Sequence, residues 1–541
     1  MTDTGPADLP ARPAAALPVW APLRHRVFRA LWVAQFVANI GTWAQLVAAQ
    51  WLMGDLIQSG LAVALVQTAM TLPVFLLVVP AGALGDIVDR RVLLFSGQFV
   101  MALAAGCLAA FTALGTVSPG LLLGLTAALG VGQALSVPSF QAVQPELVGR
   151  RNIEAAALLN GANGNLARAV GPALGGLLIA AAGPEAAFAL NAASFIGVLA
   201  VLAAWRREVA PLALGAERLF TAVRTGGRYV RHAPLLRAVL AQTALFMIFG
   251  SAVWALLPVV ARGPLQLGVG GYGLLLGGAG VGAVLGALVV PMVRTRVGPG
   301  VVVAASTLAY AAAVLVTGAT RAVPLVAVAM VVTGIGWVAV ISTLDARAQV
   351  LLPDWPRARA LAYYQLVVMG GQALGGVLWG AIAEWWGTIT AFTVAAAGLA
   401  ATVPVARRFL PLAAAAPDLT TVQHLPEPPE VSFPRAGRVL VTVEWRVPTE
   451  RAPDFVDAMV PVGRARRRTG ARLWGLFRDV EDPECFLEAF TVADWTEHLR
   501  QHLERGTAMD RDAEEGARRL IAPGTAPRVR HLLWAARTRK S

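Results

Sequence analysis

The chain has 541 residues, 57% of them hydrophobic and only 14% charged, where soluble domains carry roughly a quarter charged residues. Most of it is therefore not dissolved in water. Its net charge of +13 does not point to nucleic acid either, because the charge sits in the apolar part. Residues 1–409 hold 25 arginines and 13 acids, a net of +12, whereas residues 410–541 hold 20 basic and 19 acidic residues, a net of +1.

Residues 1–22 are rich in Pro and Ala, with no compact apolar run ending in a cleavage site, and are expected to be a cytoplasmic tail ahead of an uncleaved first span. Apolar runs follow, each near the ~20 residues that a helix needs to cross a bilayer. Twelve are expected, over 27–53, 61–84, 92–114, 119–144, 154–182, 185–205, 237–261, 268–293, 299–318, 322–350, 359–383 and 386–409. Arginines mark alternate ends: Arg26, Arg29, Arg90, Arg91, Arg150, Arg151, Arg206, Arg207, Arg294, Arg296, Arg407 and Arg408. The opposite ends carry only Arg262 and Arg321. By the positive-inside rule both termini are cytoplasmic, in a multi-pass inner-membrane protein.

The runs divide into an N-terminal six-helix bundle over 23–205, a polar cytoplasmic linker over 206–236, and a C-terminal six-helix bundle over 237–410. An internal repeat supports the division. Val170-Gly171-Pro172-Ala173-Leu174-Gly175-Gly176-Leu177-Leu178 recurs 200 residues later as Gly370-Gly371-Gln372-Ala373-Leu374-Gly375-Gly376-Val377-Leu378. Likewise Gln141…Pro145-Glu146 matches Gln349…Pro353-Asp354. Two parallel repeats of six helices require this order.

Between the second and third runs lies Gly82-Ala-Leu-Gly85-Asp86-Ile-Val-Asp89-Arg90-Arg91. It resembles the loop between the second and third helices of major facilitator superfamily transporters. Asp86, Arg90 and Arg91 are accordingly expected to gate, a carboxylate on one half capping a helix N-terminus of the other. Gly171, Pro172, Gly175 and Gly176 resemble the fifth-helix signature of exporters in that superfamily. Over residues 23–410 the chain resembles its enterobactin-exporter-like branch, also through Phe28-Arg29-Ala-Leu-Trp32 and Asn39-Ile-Gly41-Thr42-Trp43. Relatives often carry Asp where this chain has Thr42, which removes a candidate proton site.

Polar residues inside a membrane are costly and hence functional candidates. Asn39, Gln141, Arg168 and Asp345 are the expected substrate-cavity residues. Asn and Gln are also common helix–helix glue, and Asp345 lies near the cytoplasmic end of its span. Gly278, Gly282 and Gly286 form a small-residue packing face.

Residues 411–436 read as a Pro- and Ala-rich linker. Beyond it the pattern is β-α-β-β-α-β, with strands over 438–447, 472–479, 485–492 and 527–535 and helices over 449–468 and 494–520. This order is that of a ferredoxin-like domain (437–541), similar at fold level to antibiotic-biosynthesis-type monooxygenases. Arg464, Arg466, Arg467 and Arg468 read as a solvated or headgroup-facing surface. His498 and His502 stand four apart on a helix, but zinc wants further ligands and no third is evident, so no metal site is expected.

The expected fold is thus an all-α membrane protein of twelve helices with a small α+β cytoplasmic appendage. The expected function is secondary transport, export of small amphipathic drug- or siderophore-like molecules on an ion gradient. Neither a catalytic site nor a cofactor is expected. The expected partners are the substrate, the bilayer, a coupling proton and a second copy through the C-terminal domain, with no nucleic acid. The alternatives are a transporter–enzyme fusion with an oxygenase-type tail, or an importer with a regulatory or dimerising tail.

Overall fold

The computed structural model describes residues 20–84, 88–149, 152–205, 219–353, 355, 357–412, 418–420, 422 and 437–534. Among them, twelve helices of 21 residues or more make up the apolar part. Six belong to the first half: α1 (Arg26–Leu56), α2 (Gly60–Leu84), α3 (Arg90–Ala113), α4 (Pro119–Val148), α5 (Ile153–Ala182) and α6 (Pro184–Ala204). A shorter helix, α7 (Leu219–His232), lies in the linker. The second half comprises α8 (Pro234–Arg262), α9 (Val269–Val297), α10 (Pro299–Ala319), α11 (Val323–Val350), α12 (Arg357–Trp386) and α13 (Thr388–Phe409).

Eleven of the twelve are long and apolar enough to cross a membrane. The twelfth, α1, carries Gln35, Asn39, Gln45 and Gln50. It packs against α5 and α6, so these polar groups meet protein and not lipid. Asn39 donates to Asn163 at 2.9 Å, and Gln50 donates to the Trp254 carbonyl at 3.2 Å. In lipid such groups require partners inside the protein.

The two halves join through α2 against α12 and α5 against α9. The repeated glycines explain how. A Cβ at Gly171 would stand 2.6 Å from the Trp43 Cβ, and one at Gly175 would stand 2.6 Å from the Ala44 Cα, so this face of α5 lies on α1. Gly176 meets the backbone of Gly273 on α9. In the second half Gly371 and Gly375 face Met247 and Ser251 of α8, while Gly376 faces Thr68 of α2. The motif thus packs its own half with two glycines and the opposite half with the third, once in each repeat. Gly282 and Gly286 of α9 lie against Val331 and Ile335 of α11.

The C-terminal unit holds β1 (Val439–Arg446), α14 (Ala452–Thr469), β2 (Leu473–Arg478), β3 (Cys485–Val492), α15 (Trp495–Leu503), α16 (Ala508–Arg518) and β4 (Arg528–Leu533). Its antiparallel sheet runs in the order β2-β3-β1-β4. Val439, Val441, Val443 and Trp445 alternate inward along β1, and Phe455 and Met459 of α14 cover part of that face. The single helix expected over 494–520 is two. Thr507 caps α16 through a reciprocal box with Asp510, which starts a second helix in a new direction.

Candidate substrate cavity, gates and tail docking

A cavity of about 290 Å³ lies between the halves. Asn39, Thr42 and Trp43 of α1 line it with Arg168 of α5, Trp254 of α8 and Trp337 of α11. Gly171 and Gly175 let α5 lie close on α1, and the Arg168 guanidinium stands 5.3 Å from the Trp43 ring. The Arg168 Nε is buried without a hydrogen-bond partner among the described residues. Three tryptophans continue the wall across the halves, with ring centroids 6.3 Å apart for Trp43 and Trp254 and 5.3 Å for Trp254 and Trp337. Thr42 bonds its own helix, donating to the Ala38 carbonyl at 2.8 Å.

Of the expected cavity residues, Asn39 and Arg168 come together here. Asp345 does not line this cavity. Near the end of α11 it accepts from Gln349 at 2.8 Å, one turn further on. The Gln141 side chain lies outside the described residues. Trp254 and Trp337 had no distinguishing sequence signal, since apolar spans hide an aromatic that faces a cavity.

Where α1 and α8 end, the halves are clamped. Arg262 donates to Asp55 at 2.7 Å and to the Trp51 carbonyl at 2.9 Å, and its guanidinium lies 4.2 Å from the Trp51 ring. One layer deeper, Tyr272 donates to Gln50 at 2.5 Å. Ser59 donates to Glu384 at 3.0 Å across the α2–α12 seam. Closure at this end was missed in the sequence, although Arg262 stood out as one of two arginines at arginine-poor ends.

At the other end, Asp86 lies outside the described residues. Asp89 caps α3, accepting from the Arg91 amide at 2.7 Å. The Arg91 side chain donates to the carbonyls of Leu202 at 2.9 Å and Ala203 at 3.0 Å. These bonds close the C-terminus of α6 within the same half, with the sign that a helix dipole favours.

The C-terminal unit docks on the linker helix α7 and on Trp355, between α11 and α12. Arg228 of α7 donates to Glu497 at 3.0 Å and to the Gly470 carbonyl at 3.3 Å. Arg505 stacks on Trp355 at 4.8 Å, and Arg468 lies over Tyr229 at 5.9 Å. Burial opposes charge on Glu497, but Arg505 and Arg228 outweigh it and hold the carboxyl below its usual range. The arginine run of α14 is not a solvated face throughout. Arg466 is buried between Glu488 at 3.2 Å and Glu514 at 3.1 Å, and Arg468 pairs with Asp510. The reason is that α14 lies between the sheet and α16, which bring these acids to it.

A family profile described as transmembrane secretion effector, of the major facilitator type, matches residues 17–539. The chain belongs to that family. This transporter is similar to the enterobactin exporter EntS of Salmonella typhi, 28% identical over 385 residues, 69% of this chain and 90% of that protein. The EntS of Escherichia coli O6:K15:H31 is 27% identical, covering 69% and 89%. Solved structures share the fold. A POT family transporter in complex with 5-aminolevulinic acid aligns with a TM-score of 0.57 at 14% identity, covering 71% of this chain and 95% of that one. A bacterial homolog to the human lysosomal transporter Spinster aligns at 0.55 and 14%, covering 72% and 96%. The family match runs through the C-terminal sheet as well as the helices. It is a multi-pass membrane transporter and not an enzyme.

Proposed function

We propose that this transporter exports small amphipathic molecules, drug- or siderophore-like, across the inner membrane by alternating access, with both termini in the cytoplasm. The observation that carries the reading is the Arg168 guanidinium beside Trp43 in a cavity shared by both halves. A cation with an aromatic wall suits a substrate with an apolar body and an anionic or hydrogen-bond-accepting edge. The similarity to EntS supports the outward direction. An ion gradient supplies the energy, consistent with a sequence that carries no Walker loop.

The division into two bundles (23–205 and 237–410), two linkers (206–236 and 411–436) and a ferredoxin-like domain from 437 is part of this reading. So are the gating roles of Asp86, Arg90 and Arg91 at the cytoplasmic end. Asp86→Asn should leave insertion intact and slow transport. In this reading the C-terminal domain regulates or dimerises. Its docking on α7 favours regulation, and Leu473 and Leu532, exposed on the outer sheet face, offer a second copy a surface.

The test is transport by the purified protein in proteoliposomes, with anionic and neutral amphipaths under an imposed proton gradient. Arg168→Gln should raise KM for the anionic compounds about tenfold or more, and Arg168→Lys should recover part, since it keeps the charge and loses the planar fork. If both properly inserted variants transport anions like wild type, Arg168 does not recognise substrate.

A further inference from the structure

Half of the chain's histidines meet at one place. Of six in the sequence, His498, His502 and His531 offer ring nitrogens that all lie within 4.8 Å of one another. The first two sit four residues apart on α15, one above the other on a helix face. The third comes from β4, where it pairs in register with Val441 of β1 and so faces the helices with that inward residue. Ring centroids are 4.5 Å apart for His498 and His502 and 4.8 Å for His498 and His531. The third ligand that the sequence does not disclose is therefore supplied by the sheet.

His498 is fully buried, and neither of its ring nitrogens has a hydrogen-bond partner among the described residues. The His531 Nε2 is unpartnered in the same way. Buried polar atoms are normally satisfied, so the unpartnered ring nitrogens of His498 and His531, facing each other beside His502, call for an occupant.

We infer that His498, His502 and His531 bind one divalent transition-metal ion, zinc foremost. Three imidazoles suit zinc, copper, nickel or iron and disfavour magnesium and calcium, which want oxygen. Zinc–nitrogen bonds of ~2.0–2.1 Å require the rings to close on the ion by small side-chain rotations. A fourth position is left for water or a further ligand. The ion would clip α15 to β4. The same helix carries Glu497, the partner of Arg228 on the linker helix, so occupancy would stiffen the element that docks the C-terminal unit onto the transporter.

The test uses the full chain in detergent, purified without a polyhistidine tag, stripped with chelator and titrated with Zn²⁺ or Co²⁺ alone. One zinc per chain should bind, and Co²⁺ should give the visible d–d bands of a nitrogen-ligated ion. His531→Gln and His502→Gln should each weaken binding by at least the ~100-fold that even outer-shell changes can cost. His25→Gln, outside the cluster, should bind like wild type. Thermal melting identifies a variant that fails to fold, and the other variant is then read. The inference is overturned if the wild type takes up no stoichiometric zinc, or if a folded cluster variant binds as tightly as wild type.

Discussion

Arg262, the last residue of α8, pairs with Asp55 at the end of α1, 207 residues away, and lies over Trp51 of the same helix. The pair is partly exposed, with side-chain accessibilities of 33% and 55%, so its Coulombic contribution is about 0.2–1 kcal/mol. Stacking on Trp51 adds ~0.5–1 kcal/mol. Arg262→Ala should therefore shift the equilibrium about tenfold toward opening at this end. Spin-label distances between the α1–α2 and α8–α9 loops should lengthen. Unchanged distances would show that the clamp does not bias the gate.

The glycine repeat predicts matched defects. Gly175→Ala would push a methyl into the Ala44 backbone, and Gly375→Ala would push one into Ser251 and the Ile248 carbonyl. Overpacking costs ~1–3 kcal/mol. Both variants should melt several degrees lower in detergent. Gly161→Ala, where a Cβ would meet open space, should not.

In the C-terminal unit, Arg466→Ala leaves Glu488 and Glu514 without the cation between them. Removing one partner of a buried ionic cluster costs about 3–5 kcal/mol. Limited proteolysis of the full chain should then cut within 437–534, while the helical part stays resistant. Resistance equal to wild type would place the stability of this unit elsewhere.

Acid should loosen the same unit. The His498 pKa lies far below its unfolded value of ~6.5, at about 3, held down by burial and by His502 and His531. A depressed pKa means that protons favour the unfolded chain. The stabilisation is complete above pH ~6.5 and declines as pH falls toward about 3. With chelator present, melting of this unit should drop across that window, and His498→Leu should flatten the slope. A pH-independent wild type would contradict the assignment.

Docking of the unit is testable separately. Glu497→Gln removes the charge that Arg228 and Arg505 share. Amide exchange in α7 should then rise while the protection of α8–α13 stays unchanged. Equal protection in α7 would mean that other contacts hold the two parts together.

The helices were legible because the signal for a span is local. A run of apolar residues needs no distant partner to be unsuited to water, and arginines at its ends are read in place. The exception shows the mechanism: α1 falls outside the eleven candidate spans, and its Asn39, Gln45 and Gln50 meet partners on α5, α6 and α8. The repeat at Gly171 and Gly371 was visible as a pattern, but which glycine faces its own half and which the other depends on how the bundles meet. Arg168 was found as a charge inside an apolar span, whereas Trp254 and Trp337 became cavity residues only through the placement of α8 and α11. Arg262 stood out at an arginine-poor end, but its partner Asp55 was visible only once the halves closed. His531 lay unremarked in the last expected strand, 527–535. Sheet register set it opposite Val441, and only that pairing brought it to His498 and His502, because side-chain convergence across elements is a property of packing and not of spacing along the chain.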